Sequence, residues 1–187
     1  MKQINSEVKK LYENIAKYSN SDIASKIAFG MELPFSPTQT EKNEWVKYII
    51  SGLEKEFDEQ TIKSIRMGCY CNGNGHLDES KKFIKSIYDD SASIEKFVDK
   101  MNEYGVGLYL KDRYLFIKYS SCPCRMIESV TVLPTKTWCY CTVGYNKEIF
   151  EYVFNCKVDI ELLESIKMGN KHCLMKIIPL CENKINV

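Results

Sequence analysis

The hydrophobic period of this chain changes once, near Gly105, and that change sets what it can fold into. Before Gly105 apolar residues recur every three or four positions. Val8, Leu11, Ile15 and Tyr18 mark one helix, and Ile23, Ile27 and Phe29 a second. Thr40 or Glu41 opens a third, carrying Trp45, Ile49, Ile50 and Leu53. Asp58-Glu59-Gln60 starts a fourth, with Ile62, Ile65 and Met67. Two further amphipathic segments are expected over Leu77–Tyr88 and Ile94–Tyr104.

After Gly105 the period shortens to two, as a half-buried strand requires. Val106–Leu110 and Tyr114–Tyr119 read as strands joined at Lys111-Asp112-Arg113. Ile127–Leu133 reads as a third strand, closed by Pro134. Tyr145, Ile149, Tyr152 and Val153 mark a helix. Lys157–Leu162 alternates cleanly, and Cys173, Met175 and Ile177 share one face after a Gly169-Asn170 turn. The predicted class is α+β. A helical N-terminal part, residues 1–104, packs on an antiparallel sheet formed mainly by 106–178. The part 105–187 runs β-β-β-α-β-β, and the two share one core.

Six of the nine cysteines fall in three Cys-x-Cys pairs: Cys69/Cys71, Cys122/Cys124 and Cys139/Cys141. On extended backbone residues two apart face one way, so each pair can aim two sulfurs at one target. Three uses stay open for them. They are packing as small hydrophobes, metal binding, and redox or nucleophilic chemistry. Zinc takes four S or N ligands in a tetrahedron. Cys122, Cys124, Cys139 and Cys141 could supply four, with Cys69, Cys71 and Cys173 as alternates. The nucleophile candidate is Cys124, because the neighbouring Arg125 favours a thiolate. His76, after the Asn72-Gly73-Asn74-Gly75 turn, is the candidate base, against the plainer reading of a loop histidine. Cys156 and Cys181 have no cysteine neighbour and read as separate packing or surface thiols. The glycine-rich turn has no Lys-Ser/Thr in register for a phosphate cradle.

Composition narrows the classes. Twenty-six basic residues balance twenty-five acidic ones, which is not the footprint of a nucleic-acid binder. No apolar run approaches the ~20 residues of a membrane helix. The first residues carry no apolar signal-peptide core. A cytoplasmic location with reduced thiols is the expectation.

From Cys139 to Ile177 the chain resembles the 4-vinyl reductase domain, a small ligand-sensing module. The resemblance runs through Cys139, Gly144-Tyr145, Val158-Asp159-Ile160-Glu161, Gly169 and Cys173-Leu174-Met175-Lys176-Ile177. It implies a zinc ion held from the positions of Cys139, Leu162, Ser165 and Cys173. Leucine and serine here replace a glutamate and a cysteine, and Cys141, Glu164, Cys122 or Cys124 are the residues that could compensate. A second stretch, Ile117-Lys118-Tyr119-Ser120-Ser121-Cys122-Pro123 with Gly169 and Cys173, is similar to the 2-amino-thiazoline-4-carboxylate hydrolases. Their acidic residue after the middle cysteine has no counterpart after Cys141. Both resemblances imply an antiparallel sheet with a pocket between sheet and helices.

The leading expectation is a small-molecule-binding or sensing protein with a cysteine-rich site. Trp138, Tyr140 and Tyr145 are its expected ligand-contacting wall, unless they are ordinary core. The alternative is a metal- or thiol-dependent hydrolase of a small cyclic or amide-like substrate. A sensing role would call for a second copy or a separate output protein as partner.

Overall fold

The computed structural model describes residues 4–71 and 75–181. Seven α-helices and four strands follow in chain order: α1 (Ser6–Ile15), α2 (Ser21–Phe29), α3 (Gln39–Glu56), α4 (Glu59–Gly68), α5 (Leu77–Asp89), α6 (Ile94–Glu103), β1 (Gly107–Lys111), β2 (Tyr114–Tyr119), α7 (Tyr140–Phe154), β3 (Val158–Glu164) and β4 (Cys173–Pro179). The class is α+β, as the change of period predicts. Among the described residues no helix is long and apolar enough to cross a membrane. The turn expected at Asn72-Gly73-Asn74 lies outside the described residues.

The chain divides into two compact units, neither of them one continuous segment. The first comprises 1–70 with 124–144, the second 71–123 with 145–187. The change of period at Gly105 therefore falls inside the second unit.

In the first unit, side chains set the helix starts. Asn5 accepts from the Glu7 N–H, Asn20 from those of Asp22 and Ile23, and Asp58 from that of Thr61. Thr38 and Glu41 form a reciprocal capping box, which starts α3 slightly earlier than the hydrophobic period suggests. The buried stripe of α3 is Trp45, Val46, Ile49, Ile50 and Leu53. It belongs to a core with Leu11, Ile15, Ile62, Ile65 and Trp138. Trp45 meets Trp138 edge to face, with ring centroids 5.8 Å apart.

Residues 127–133 do not form the expected strand. Cys124 leads into a single 3₁₀ turn, Arg125–Ile127, and an irregular stretch follows. Ile127 and Leu133 are buried as anchors, while Val132 between them is 56% exposed. The physical reason is pairing. The first unit contains no strand among its described residues, so this segment has no backbone to complete a ladder.

The second unit holds the sheet, in the order β1-β2-β4-β3 and antiparallel throughout. β1 and β2 meet in a two-residue hairpin in which Asp112 and Arg113 both take positive φ, 50° and 64°, as a type I′ turn requires. Leu108, Leu115, Ile117, Met175, Ile177, Val158 and Ile160 fill one face. Tyr88, Phe97 and Phe154 pack edge to face, with centroids 5.2–6.5 Å apart. Gly169, at φ +87°, ends the 3₁₀ turn Ile166–Met168 that leads to β4.

Candidate functional site

The chemistry in the first unit gathers around Arg66. Ile62, Ile65, Arg66 and Cys69 occupy the i, i+3, i+4, i+7 stripe of α4, the stripe a helix buries. Arg66 is 3% exposed. Its guanidinium carbon lies 3.8 Å from the centroid of the Trp138 ring, a cation–π contact. Nη2 donates to the Trp138 carbonyl at 3.4 Å. Nε has no hydrogen-bond acceptor.

A buried guanidinium without compensation is costly. Among the described residues no carboxylate pairs with Arg66. Burial works against its charge, and Cys69, Cys141 and Cys124, when ionised, more than offset that, so its pKa lies above the ordinary arginine value. Glu7 adds a weaker pull.

The three sulfurs differ. Cys69 caps the C-terminus of α4, is buried, and donates its thiol to the Ile65 carbonyl at 3.2 Å. Burial pushes its pKa up, and Arg66 pulls it back. Cys141 is the second residue of α7. Its thiol donates a hydrogen bond to the Cys124 sulfur. That bond, followed by burial, pushes Cys141 well above the ordinary thiol value, while Arg66 acts in the opposite sense. Cys124 and Cys141 are each half-buried. Cys124 thus accepts from one thiol, stands near one guanidinium and keeps some exposure.

Backbone packing holds these pieces together. A Cβ at Gly144 would lie 2.0 Å from the Met67 carbonyl oxygen. Only a glycine lets α7 come this close to the end of α4, one turn from Cys141 and beside Arg66 and Cys69. The resemblance to the 4-vinyl reductase domain implies that Gly144-Tyr145 opens a helix. The helix in fact opens at Tyr140, so Cys139 closes the 3₁₀ turn Thr137–Cys139 and Cys141 lies within α7.

The remaining site candidates separate as follows. Cys-x-Cys pairs project to one face only on extended backbone, and two of the three sit at helix ends. Cys69 is buried while Cys71 is exposed. Cys122 belongs to the second unit; Cys124, Cys139 and Cys141 belong to the first. No group of three or more His, Cys, Asp or Glu side chains is placed to hold a metal ion among the described residues. Arg125, the guanidinium expected to act on Cys124, is exposed, and Arg66 also interacts electrostatically with Cys124. His76 is exposed and its Nδ1 lies 2.7 Å from Glu79 Oε2.

Trp138 and Tyr140 are 2% and 4% exposed, so both are core. The Tyr140 hydroxyl donates to Glu59 at 2.9 Å. Tyr145 lies in the second unit, with its hydroxyl bonded to Ser80. A surface recess of about 370 Å³ on the first unit is lined by Lys47, Ile50, Ser51, Glu54, Lys55 and Pro134, none of them an expected wall residue.

In the second unit Tyr119 donates to Asn146 Oδ1 at 2.8 Å, and Asn146 Nδ2 reaches the Met175 sulfur at 3.7 Å. Burial drives the Tyr119 hydroxyl pKa up. Cys173 is buried on β4 and its sulfur accepts from the Ile166 N–H. Ser165, a zinc position by resemblance, caps the 3₁₀ turn by accepting from the Lys167 N–H. Leu162 sits opposite Met175 in the β3–β4 ladder.

Cys156 and Cys181 correct the sequence reading, because they form a disulfide with Cα atoms 5.9 Å apart. β3 and β4 pair Val158 with Pro179, and the Leu180 N–H donates to the Lys157 carbonyl at 2.8 Å. Continued one step, that register sets Cys156 opposite Cys181.

The model of a family of unknown function, DUF6144, matches residues 1–184, and the chain belongs to that family. No curated protein and no solved structure matches.

Proposed function

We propose that this member of the DUF6144 family is a cytoplasmic thiol-based sensor of small reactive molecules, with Cys124 as its reacting group. The observation that carries this reading is a buried guanidinium whose strongest anionisable neighbours are the sulfurs of Cys69, Cys141 and Cys124. A nearby guanidinium favours the thiolate, which is the nucleophilic form, but for Cys69 burial, and for Cys141 the Cys124 hydrogen bond and burial, outweigh that pull. Cys124 is the sulfur that combines acceptance from Cys141, the charge of Arg66 and partial exposure. Cys69 is buried with its thiol already bonded to a carbonyl, and is the less suited of the three.

The reading takes the leading expectation from sequence and gives it a chemistry. The molecule sensed is an electrophile or an oxidant that meets a sulfur, and a deep apolar pocket is not needed. The test is alkylation of the native protein by iodoacetamide, with peptide mapping over time and elemental analysis of the same sample. Cys124 is expected to label first among the free cysteines, faster than in the denatured chain at neutral pH. Labelling of Cys124 no faster than in the denatured chain would remove the reading. So would a stoichiometric zinc that protects Cys124 until it is chelated.

A further inference from the structure

We propose that Arg66, Trp138 and Trp45 form a buried binding site for one small, weakly hydrated monovalent anion of the halide class. The proposal goes beyond the thiol reading and does not depend on the reactivity of Cys124.

Three buried side-chain donors have no acceptor among the described residues: Arg66 Nε, Trp138 Nε1 and Trp45 Nε1. All three fall in one cluster of the first unit. The guanidinium carbon of Arg66 lies 3.8 Å from the Trp138 ring centroid, and the Trp45 and Trp138 centroids are 5.8 Å apart. Arg66 is 3% exposed, Trp138 2% and Trp45 1%. Buried donors are nearly always bonded, so three orphans in one contact cluster call for an acceptor that the chain itself does not supply. Nε is bonded to the carbon held over the ring, and Nε1 is an atom of that ring, so one ion can span the two. Trp45 packs edge to face on Trp138 and brings the third N–H to the cluster.

Charge argues for an anion over a water molecule. A buried guanidinium needs a counter-charge, and a ring face is only a partial substitute for one. No carboxylate pairs with Arg66 among the described residues. Cys69, whose N–H bonds the Arg66 carbonyl, has its thiol committed to the Ile65 carbonyl at 3.2 Å. The bond from Arg66 Nη2 to the Trp138 carbonyl, at 3.4 Å, is longer than the usual range of about 2.7–3.2 Å.

The surroundings select the ion. Ile62 and Ile65 share the buried stripe of α4 with Arg66, and the indole rings are apolar apart from their N–H groups. An ion entering such a site gives up its hydration. One guanidinium offsets one negative charge. A singly charged, polarisable ion that sheds water readily fits both conditions. Sulfate carries a second charge and fluoride holds its water strongly, so neither does.

Trp45 and Trp138 are the two tryptophans of the chain, so intrinsic fluorescence reads the site. The test titrates the native wild-type chain with sodium iodide, with sodium fluoride holding the ionic strength constant, and follows tryptophan emission. Collisional quenching of buried rings is weak and linear, whereas a heavy ion bound against them quenches to a plateau. The expected result is a saturating quench that chloride reverses and sulfate does not. Arg66→Met should abolish the plateau. Trp138→Phe keeps Trp45 as reporter, removes one donor to a charged acceptor, and should weaken the apparent affinity roughly tenfold or more. It carries the test should Arg66→Met fail to fold. Strictly linear quenching in the wild type overturns the proposal, because a buried water then suffices as the acceptor. Saturation that persists in Arg66→Met, an affinity unchanged in Trp138→Phe, or equal displacement by sulfate overturns it as well.

Discussion

Gly144 and the Met67 carbonyl are in such close approach that a single added methyl group would fall 2.0 Å from the oxygen. This contact fixes the first turn of α7 against the end of α4, and Cys141, Arg66 and Cys69 all lie within one turn of it. Gly144→Ala gains about 1 kcal/mol of helix propensity. Forcing backbone apart in a packed interior costs more, about 3 kcal/mol. The expected net loss is about 2 kcal/mol, read as a lower urea midpoint at unchanged slope. Alkylation of Cys124 should slow in the same variant, since Cys141 moves with the helix. An unchanged midpoint would mean that α7 shifts freely, and the contact would lose its positioning role.

Arg66→Met separates charge from packing. Methionine fills much of the same space and removes the buried charge, a replacement that is often neutral or stabilising when a buried ion is exchanged for hydrocarbon. The thermal midpoint should therefore move little. Reactivity should fall, because the substitution removes a charge that interacts with Cys124 and favours its thiolate. Native alkylation of Cys124 is expected to slow tenfold or more, with partial recovery in Arg66→Lys. Equal rates in wild type and Arg66→Met would show that the guanidinium does not activate the sulfur.

Helices α1 to α6 are legible in the sequence because each carries its own stripe, and most carry a side-chain cap. The β1–β2 hairpin is legible from alternation around a short polar turn. What sequence does not reveal is which unit a segment joins. Residues 127–133 alternate well enough for a strand but lie in a unit with no strand to pair with. The cysteine pairs mislead in the same way, since their spacing means one face on a strand and opposite sides on a helix. Arg66 does carry a signal. A charged residue in the middle of the stripe Ile62, Ile65, Cys69 has to be buried or to break the helix. The Cys156–Cys181 link was hidden by a separation of 25 residues and emerges only once the β3–β4 register is known.

The Cys156–Cys181 bridge should contribute measurably to stability. Closing a loop of this length removes about 3 kcal/mol of chain entropy from the unfolded state. Dithiothreitol should lower the urea midpoint of the wild-type chain to that of the Cys156→Ser/Cys181→Ser variant, and should leave the variant where it is. Both cysteines are half-buried, so the reductant has access without global unfolding. A wild-type midpoint that does not respond to reductant would show that the bridge contributes nothing.

Glu151 ties the end of α7 to the start of β3 and makes this junction sensitive to pH. Its carboxylate accepts from the Val158 N–H at 3.2 Å and pairs with Lys147 at 3.1 Å and Lys157 at 3.3 Å. Burial pushes the carboxyl pKa up, but the bonds to Lys147, Val158 and Lys157 together hold it below the ordinary value. A folded-state pKa below the unfolded one gives stability that is present above the unfolded value, near 4.3, and is lost as pH falls through the folded value. Glu151→Gln should therefore cost about 1 kcal/mol at pH 7. The gap between variant and wild type should close as the solution is acidified below the folded pKa. Urea midpoints of both proteins at neutral and acidic pH provide the check. A gap that stays constant across that range would assign the effect to packing and not to the charge.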